Sequence, residues 1–232
     1  PYAVVANPDD VPKTIFVSAI QDMPLAADVE VQLKGNETDF QTGISALAKI
    51  SKVYLGVKAG SAAANVKDAE VTEFQGKCPI GNVGVQINHT NPVNKGEVVW
   101  TIAVEEVIFI GRLFNTGKVN LTRTIAVAGS EIKEPKYMTV LPGAKIADII
   151  DSNIATDKKV RIIDGNPLTG MKTSPESFLL AHSTEITAIP EGDEANELFG
   201  WIAPRFNEFS VSRSYFSWLM PKKEYVLDAR VK

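Results

Sequence analysis

Short β-rich runs alternate with helix-length amphipathic segments up to about residue 128, and beyond the polar stretch 129–135 every apolar run is short. That switch limits the chain to a layered unit followed by a smaller module. Residues 14–20 (Thr-Ile-Phe-Val-Ser-Ala-Ile) lie between Pro12 and Pro24 and predict a buried strand. Residues 38–50 predict a helix capped by Thr38 or Asp39, with Phe40, Ile44 and Leu47 about a turn apart. Residues 52–57 and 69–74 predict strands, and a glycine-rich loop spans 76–84. Residues 97–114 predict a helix with Trp100, Val104, Val107, Ile108 and Gly111 on one face, ended by Asn115-Thr-Gly117. Residues 120–128 predict a further strand. The expectation for 1–128 is a Rossmann-like α/β domain, entered through a proline-rich linker over residues 1–13.

After the joint at 129–135, strands are predicted over 137–141, 159–163, 178–181 and 185–189, with a short helix over 145–150 and a turn at Asp164-Gly165. A small sheet with one short helix reads as an α+β module of the β-grasp kind, spanning 129–190. Residues 191–232 form an aromatic-rich hairpin or arm carrying Phe199, Trp201, Phe206, Phe209, Tyr215, Phe216, Trp218 and Tyr225. Arg205, Arg213, Lys222 and Lys223 add positive charge to it. Core packing and a protein interface account equally well for this composition.

With 44% hydrophobic and 22% charged residues the chain has the balance of a globular protein rather than a disordered one. Its net charge of −4 and pI near 5.3 argue against nucleic acid as the main partner, which requires clustered Lys and Arg. Cys78 is the one cysteine, so no disulfide forms within the chain, and a reducing, cytoplasmic location fits. The most apolar stretch, residues 98–110, is about thirteen residues long and contains Glu105 and Glu106, whereas a membrane span takes roughly twenty. Any membrane contact is therefore expected through partner subunits. The sequence opens at Pro1 without an initiator Met, which predicts a piece of a longer protein.

The reactive residue types are sparse. An iron–sulfur cluster takes about four thiolates, and a zinc site takes paired Cys or His ligands; Cys78, His89 and His182 supply neither. Gly76-x-x-x-x-Gly81-Asn-Val begins like a phosphate-binding loop but lacks the Lys and the Ser/Thr that reach phosphate and magnesium. Gly81-x-x-Gly84 alone is no dinucleotide fingerprint, so the loop reads as a tight turn. Cys78 could act as a nucleophile only with His89, and a small buried residue beside Pro79 is the plainer expectation. His89, among Asn88, Thr90 and Asn91, reads as part of a polar turn with Asx capping, although it could also hydrogen-bond a carbonyl-bearing ligand such as a quinone. Glu105 and Glu106 are adjacent on a helix and point about 100° apart, which excludes a cooperating acid–base pair. One is expected to face solvent and the other a helix cap or partner. No catalytic residue, metal ligand or cofactor-binding residue is assigned.

Four segments in order resemble the A subunits of sodium-translocating NADH:quinone reductases. They are Ser18-Ala-Ile-Gln-Asp-Met-Pro-Leu-Ala-Ala-Asp28, Asn91-Pro-Val…Val-Trp100-Thr-Ile…Glu-Glu-Val-Ile-Phe-Ile-Gly111-Arg-Leu-Phe-Asn-Thr-Gly117, Lys136-Tyr-Met-Thr-Val-Leu-Pro-Gly-Ala144, and Gly200-Trp-Ile-Ala-Pro with Phe209-Ser-Val-Ser-Arg213. The third resembles the start of a soluble-ligand-binding β-grasp domain. The resemblance implies a fold similar to the NADH- and flavin-binding subunit of respiratory complex I and to the C subunit of Rnf-type complexes. It also implies a peripheral subunit on the cytoplasmic side of the bacterial inner membrane, within a six-subunit sodium-pumping complex. NADH and quinone are that complex's substrates, and its flavins and iron–sulfur centres are held by other subunits. An N-terminal domain before Pro1 and a helical segment after Lys232 are expected in the longer protein. The competing expectation is a free-standing flavin- or nucleotide-binding oxidoreductase, which would purify yellow.

Overall fold

The computed structural model describes residues 4–150, 152–193, 199, 202–208, 213–221 and 229. These residues form strands β1 (Thr14–Ala19), β2 (Val53–Lys58), β3 (Glu70–Phe74), β4 (Val99–Ala103), β5 (Arg123–Ala128), β6 (Lys136–Val140), β7 (Val160–Asp164), β8 (Met171–Thr173) and β9 (Glu185–Pro190). Helices are α1 (Val29–Leu33), α2 (Glu37–Leu47), α3 (Val83–Thr90), α4 (Val104–Thr116) and α5 (Ile146–Ile150). Contacts divide the chain into two units: residues 1–125 with 137–142, and residues 126–136 with 143–232.

The first unit is built on a four-stranded sheet of order β3-β2-β1-β4. Every pairing in it is parallel, with Ile15 of β1 opposite both Val53 of β2 and Trp100 of β4. A central parallel strand is covered on both faces, and β1 is correspondingly apolar, with Ile15, Phe16, Val17 and Ala19 all buried. On one face Ile15, Val17, Leu55 and Val57 pack against Phe40, Ile44 and Leu47 of α2 and Val104, Val107 and Ile108 of α4. Each such side chain contributes about 1.5–3 kcal/mol on burial. Phe16 and Tyr54 stack with ring centroids 5.0 Å apart.

Helices α2 and α4 approach until their backbones touch. A Cβ on Gly43 would meet the Val107 carbonyl oxygen at 2.1 Å, and one on Gly111 the Asp39 carbonyl oxygen at 1.7 Å. Helix α2 starts two residues before the earlier of the two caps its sequence suggests: Asn36 rather than Thr38 or Asp39 occupies the N-cap position, and Glu37 and Asp39 place negative charge in the first turn. Helix α4 ends where expected, at Gly117 with φ 69°.

The helix expected over 97–114 is a strand and a helix joined without a loop. Residues 99–103 (Val-Trp-Thr-Ile-Ala) pair with β1, and helix begins at Val104. The β-branched and aromatic run prefers the pleated sheet beside β1 to a helix, and Trp100 is therefore a strand residue. The β-rich run around 178–181 makes only an isolated bridge, Phe178 to Lys145, because Leu179 N–H is taken by the Ala144 carbonyl and Leu180 N–H by the Asp164 carboxylate. Elements absent from the sequence expectation are α1, α3, β8 and a 3-10 turn over Ala62–Ala64.

In the second unit β5 pairs in parallel with β9, β9 antiparallel with β7, and β7 antiparallel with β8. Val127, Ile146, Ile149, Ile150, Ile163, Leu179 and Ile186 form its buried apolar set. Glu191 closes the end of that sheet: Arg161 donates to it through Nε at 3.1 Å and Nη2 at 2.5 Å, and Lys172 Nζ donates at 2.8 Å. Trp201, Phe209, Tyr225, Lys222 and Lys223 of the aromatic arm lie outside the described residues.

Candidate functional site

The carboxyl edge of a parallel sheet is where loops can open a binding crevice. Here a crevice of about 620 Å³ lies at the ends of β1 and β2, walled by Gln21, Asp28, Val29, Glu30, Lys58 and Ser61 among others. Its polar groups are largely engaged with one another. The Asp28 side chain caps α1 by accepting from Glu30 N–H at 3.0 Å. Glu30 accepts from Ser61 Oγ at 2.5 Å and from Ala62 N–H at 3.1 Å. Lys58 Nζ donates to the Gln21 carbonyl at 2.9 Å. Asp28 thus occupies the start of α1 and Glu30 the start of the 3-10 turn over Ala62–Ala64, and the two carboxylates repel a pyrophosphate rather than attract it.

The glycine-rich loop is clamped to the end of β1. Gly81 N–H donates to Asp22 Oδ2 at 3.0 Å, and Ser18 Oγ donates to the Gly81 carbonyl at 3.2 Å. Gln86, 2% exposed, donates to both Ser18 Oγ and the Ile80 carbonyl. The loop then runs into α3, capped by Asn82, whose side chain accepts from Gly84 N–H at 2.8 Å. The tight-turn expectation holds, and the amides of Ile80, Gly81, Asn82 and Gly84 all bond within the protein.

Cys78 is exposed, not the buried residue expected beside Pro79. Desolvation on its packed side, then the charge and hydrogen bond of Asp22, hold its thiol above the ordinary range. Such a thiol is a poor nucleophile, because reaction proceeds through the thiolate. His89 sits in the last turn of α3 instead of in a polar turn, and it is exposed. Asn91 N–H continues the helical bonding to the Ile87 carbonyl, and Thr90 Oγ1 donates to the Gln86 carbonyl, so the Asx-rich stretch ends the helix instead of turning earlier.

Glu105 and Glu106 divide roles: Glu106 is half-buried and Glu105 is buried. Glu106 Oε2 accepts Ala103 N–H at 2.7 Å and caps α4. Glu105 is 5% exposed and accepts from Gln32 Nε2 at 2.6 Å. Burial holds the Glu105 carboxyl above the usual carboxylate range, against its own backbone N–H and the charge of Arg123. Neither Gln32 nor the crevice residues Glu30 and Lys58 stand out in the sequence, whereas Asp28 closes the first of the family-like segments and precedes Val29 as a cap. Among the described residues no group of three or more His, Cys, Asp or Glu is placed to hold a metal ion, and no helix is long and apolar enough to cross a membrane.

The described part of the aromatic arm leaves large side chains in solvent: Phe199, Ile202, Phe206, Phe216, Trp218 and Leu219 are all exposed. Phe206 and Phe216 contact each other with centroids 6.0 Å apart.

A family model described as the NqrA second alpha/beta domain matches residues 1–119, and one described as the NQRA C-terminal domain matches residues 124–174. The A subunit of the Na(+)-translocating NADH-quinone reductase from Shewanella frigidimarina is 36% identical over 226 residues, covering 96% of this chain and 50% of that protein. Its counterpart from Neisseria meningitidis serogroup B is 34% identical over 236 residues, covering 100% of this chain and 52% of that protein. The chain thus spans about half the length of the curated relatives it matches. Among solved structures, the crystal structure of an NAD+-reducing [NiFe]-hydrogenase in the H2-reduced state has a TM-score of 0.52 at 12% identity, over 78% of this chain and 41% of that one, a likeness of fold alone. With the first of these models covering residues 1–119 and the second following directly after it, the chain belongs to the NqrA family, the A subunits of Na(+)-translocating NADH-quinone reductases.

Proposed function

We propose that this chain is a positioning and assembly part of a sodium-pumping NADH:quinone reductase, peripheral on the cytoplasmic face of the bacterial inner membrane. In this reading flavins and iron–sulfur centres sit on the other subunits of a six-subunit complex, and this chain supplies docking surface and a contribution to quinone binding. Residues 1–128 are read as a Rossmann-like domain, 129–190 as a β-grasp module and 191–232 as an arm. The strand order β3-β2-β1-β4 supports the first of these and the short mixed sheet the second. Limited proteolysis is expected to cut first within 129–135.

The observation that carries a non-redox role is the crevice at the carboxyl edge of β1 and β2. A nucleotide site there would offer free amides to phosphate, whereas Asp28 and Glu30 bring two carboxylates to α1 and Lys58 is tied to Gln21. A single cysteine, Cys78, likewise supplies too few thiolates for a cluster. Purified chain mixed with NADH and a soluble quinone is expected to give no turnover above background. Turnover on the order of 1 s⁻¹, with stoichiometric yellow flavin retained through purification, would establish the oxidoreductase reading instead.

A further inference from the structure

A second polar cluster lies at the start of α4, lined by other residues than the crevice. Glu105 is 5% exposed and Gln32 3% exposed, and Gln32 Nε2 donates to Glu105 Oε1 at 2.6 Å. Gln32 Oε1 is buried without a hydrogen-bond partner. Beside both is a cavity of about 10 Å³, also lined by Asn36, Arg112, Thr122 and Arg123. That is about the space one water needs, and a buried acceptor such as Gln32 Oε1 calls for a donor.

We propose that this cluster is a buried proton site: Glu105 takes up one proton from bulk solvent to become a neutral carboxyl, and one water in the cavity donates to Gln32 Oε1. Arg112 and Arg123 line the same cavity; their positive charge opposes a metal ion, and it also favours the ionised carboxylate, so proton uptake rests on the burial of Glu105 outweighing it. Arg112 is already committed to the Thr122 carbonyl and Asn36 Oδ1, and its Nε lies 3.5 Å from Asp39 of α2. Arg123 lies over the Phe109 ring, 5.2 Å from its centroid. Glu106, next along α4, adds negative charge that discourages a second anion, and α1 presents the neutral Gln32. Burial raises the Glu105 carboxyl more than its own backbone N–H and Arg123 lower it. Gln32 belongs to α1, which also walls the large crevice through Val29 and Glu30. Ionisation of Glu105 therefore acts on that wall.

The sign follows from an acid whose folded pKa lies above its unfolded one. Stability is greatest below the unfolded value and is lost as pH rises from there towards the folded value. In the full 232-residue chain the unfolding constant of the native sequence, divided by that of Glu105→Gln, is expected to rise about tenfold per pH unit across that window. Amide exchange in α1, corrected for intrinsic rate, is expected to quicken with pH in the native sequence and not in Glu105→Gln. The assigned carboxyl carbon of Glu105, followed by NMR in the unaltered chain, is expected to titrate above the ordinary glutamate range. This last measurement decides the matter even if the variant does not fold. A Glu105 titration at or below that range, or a ratio of unfolding constants flat with pH, overturns the proposal.

Discussion

Gly111 of α4 lies against Asp39 of α2 so closely that a Cβ on Gly111 would stand 1.7 Å from the Asp39 carbonyl oxygen. Gly111→Ala is helix-favouring by about 1 kcal/mol on propensity alone, yet it forces two backbones apart over a packed core. Net destabilisation of about 2 kcal/mol or more is expected in denaturant unfolding of the purified chain. Unchanged stability would show that the two helices are not in backbone contact.

Glu191 gives the second unit a defined acid sensitivity. Arg161 and then Lys172 lower its pKa from 4.5 to about 2. A depressed folded pKa contributes stability above the unfolded value, and this is lost as pH falls from about 4.5 towards about 2. Glu191→Gln is expected to cost about 1–3 kcal/mol at pH 7, on the scale of charge-assisted hydrogen bonds. The gap between variant and native sequence should narrow as pH falls below about 4.5 and close near about pH 2 in urea titrations, and a gap constant with pH would count against the ion-pair account.

Asp22 both holds the Gly81 amide and faces the Cys78 thiol. Asp22→Asn removes the negative charge that disfavours thiolate. Reaction of Cys78 with a disulfide reagent at pH 8 is expected to quicken by roughly twofold to tenfold, following the thiolate fraction. A slower reaction would mean that Asp22 activates the thiol.

How much could be read from sequence depended on how local each cause was. The strand at Thr14–Ala19 was legible because a short, mostly apolar and β-branched run between prolines suits a strand buried on both faces. The junction of β4 and α4 was not, because Ala103 passes directly into Val104 with no turn residue to mark the change of period. Helix α3 was hidden by the glycines around it, although Asn82 carried a capping signal. The Gln32–Glu105 pair joins residues 73 apart, and nothing in either neighbourhood announces it. Periodicity reports burial along one element; it does not report which polar groups the tertiary fold will strand together.

Trp218 is 58% exposed and Phe216 48% exposed, which favours a contact surface over a core for this part of the arm. Trp218→Ala is expected to change the stability of the isolated chain by less than about 0.5 kcal/mol. If Trp218 is a binding anchor, association with the complex should weaken by about 2 kcal/mol, roughly 30-fold. A collapse of thermal stability would place the ring in the core.

The most direct test of an assembly role is a pull-down of detergent-solubilised membranes, from a bacterium that contains the sodium-pumping NADH:quinone reductase, on the immobilised chain. Mass spectrometry is expected to identify the sibling subunits of that complex bound in excess over a control surface, with recovery reduced by Trp218→Ala. Recovery of none of those subunits above the control, from membranes whose own complex remains active, would contradict the account.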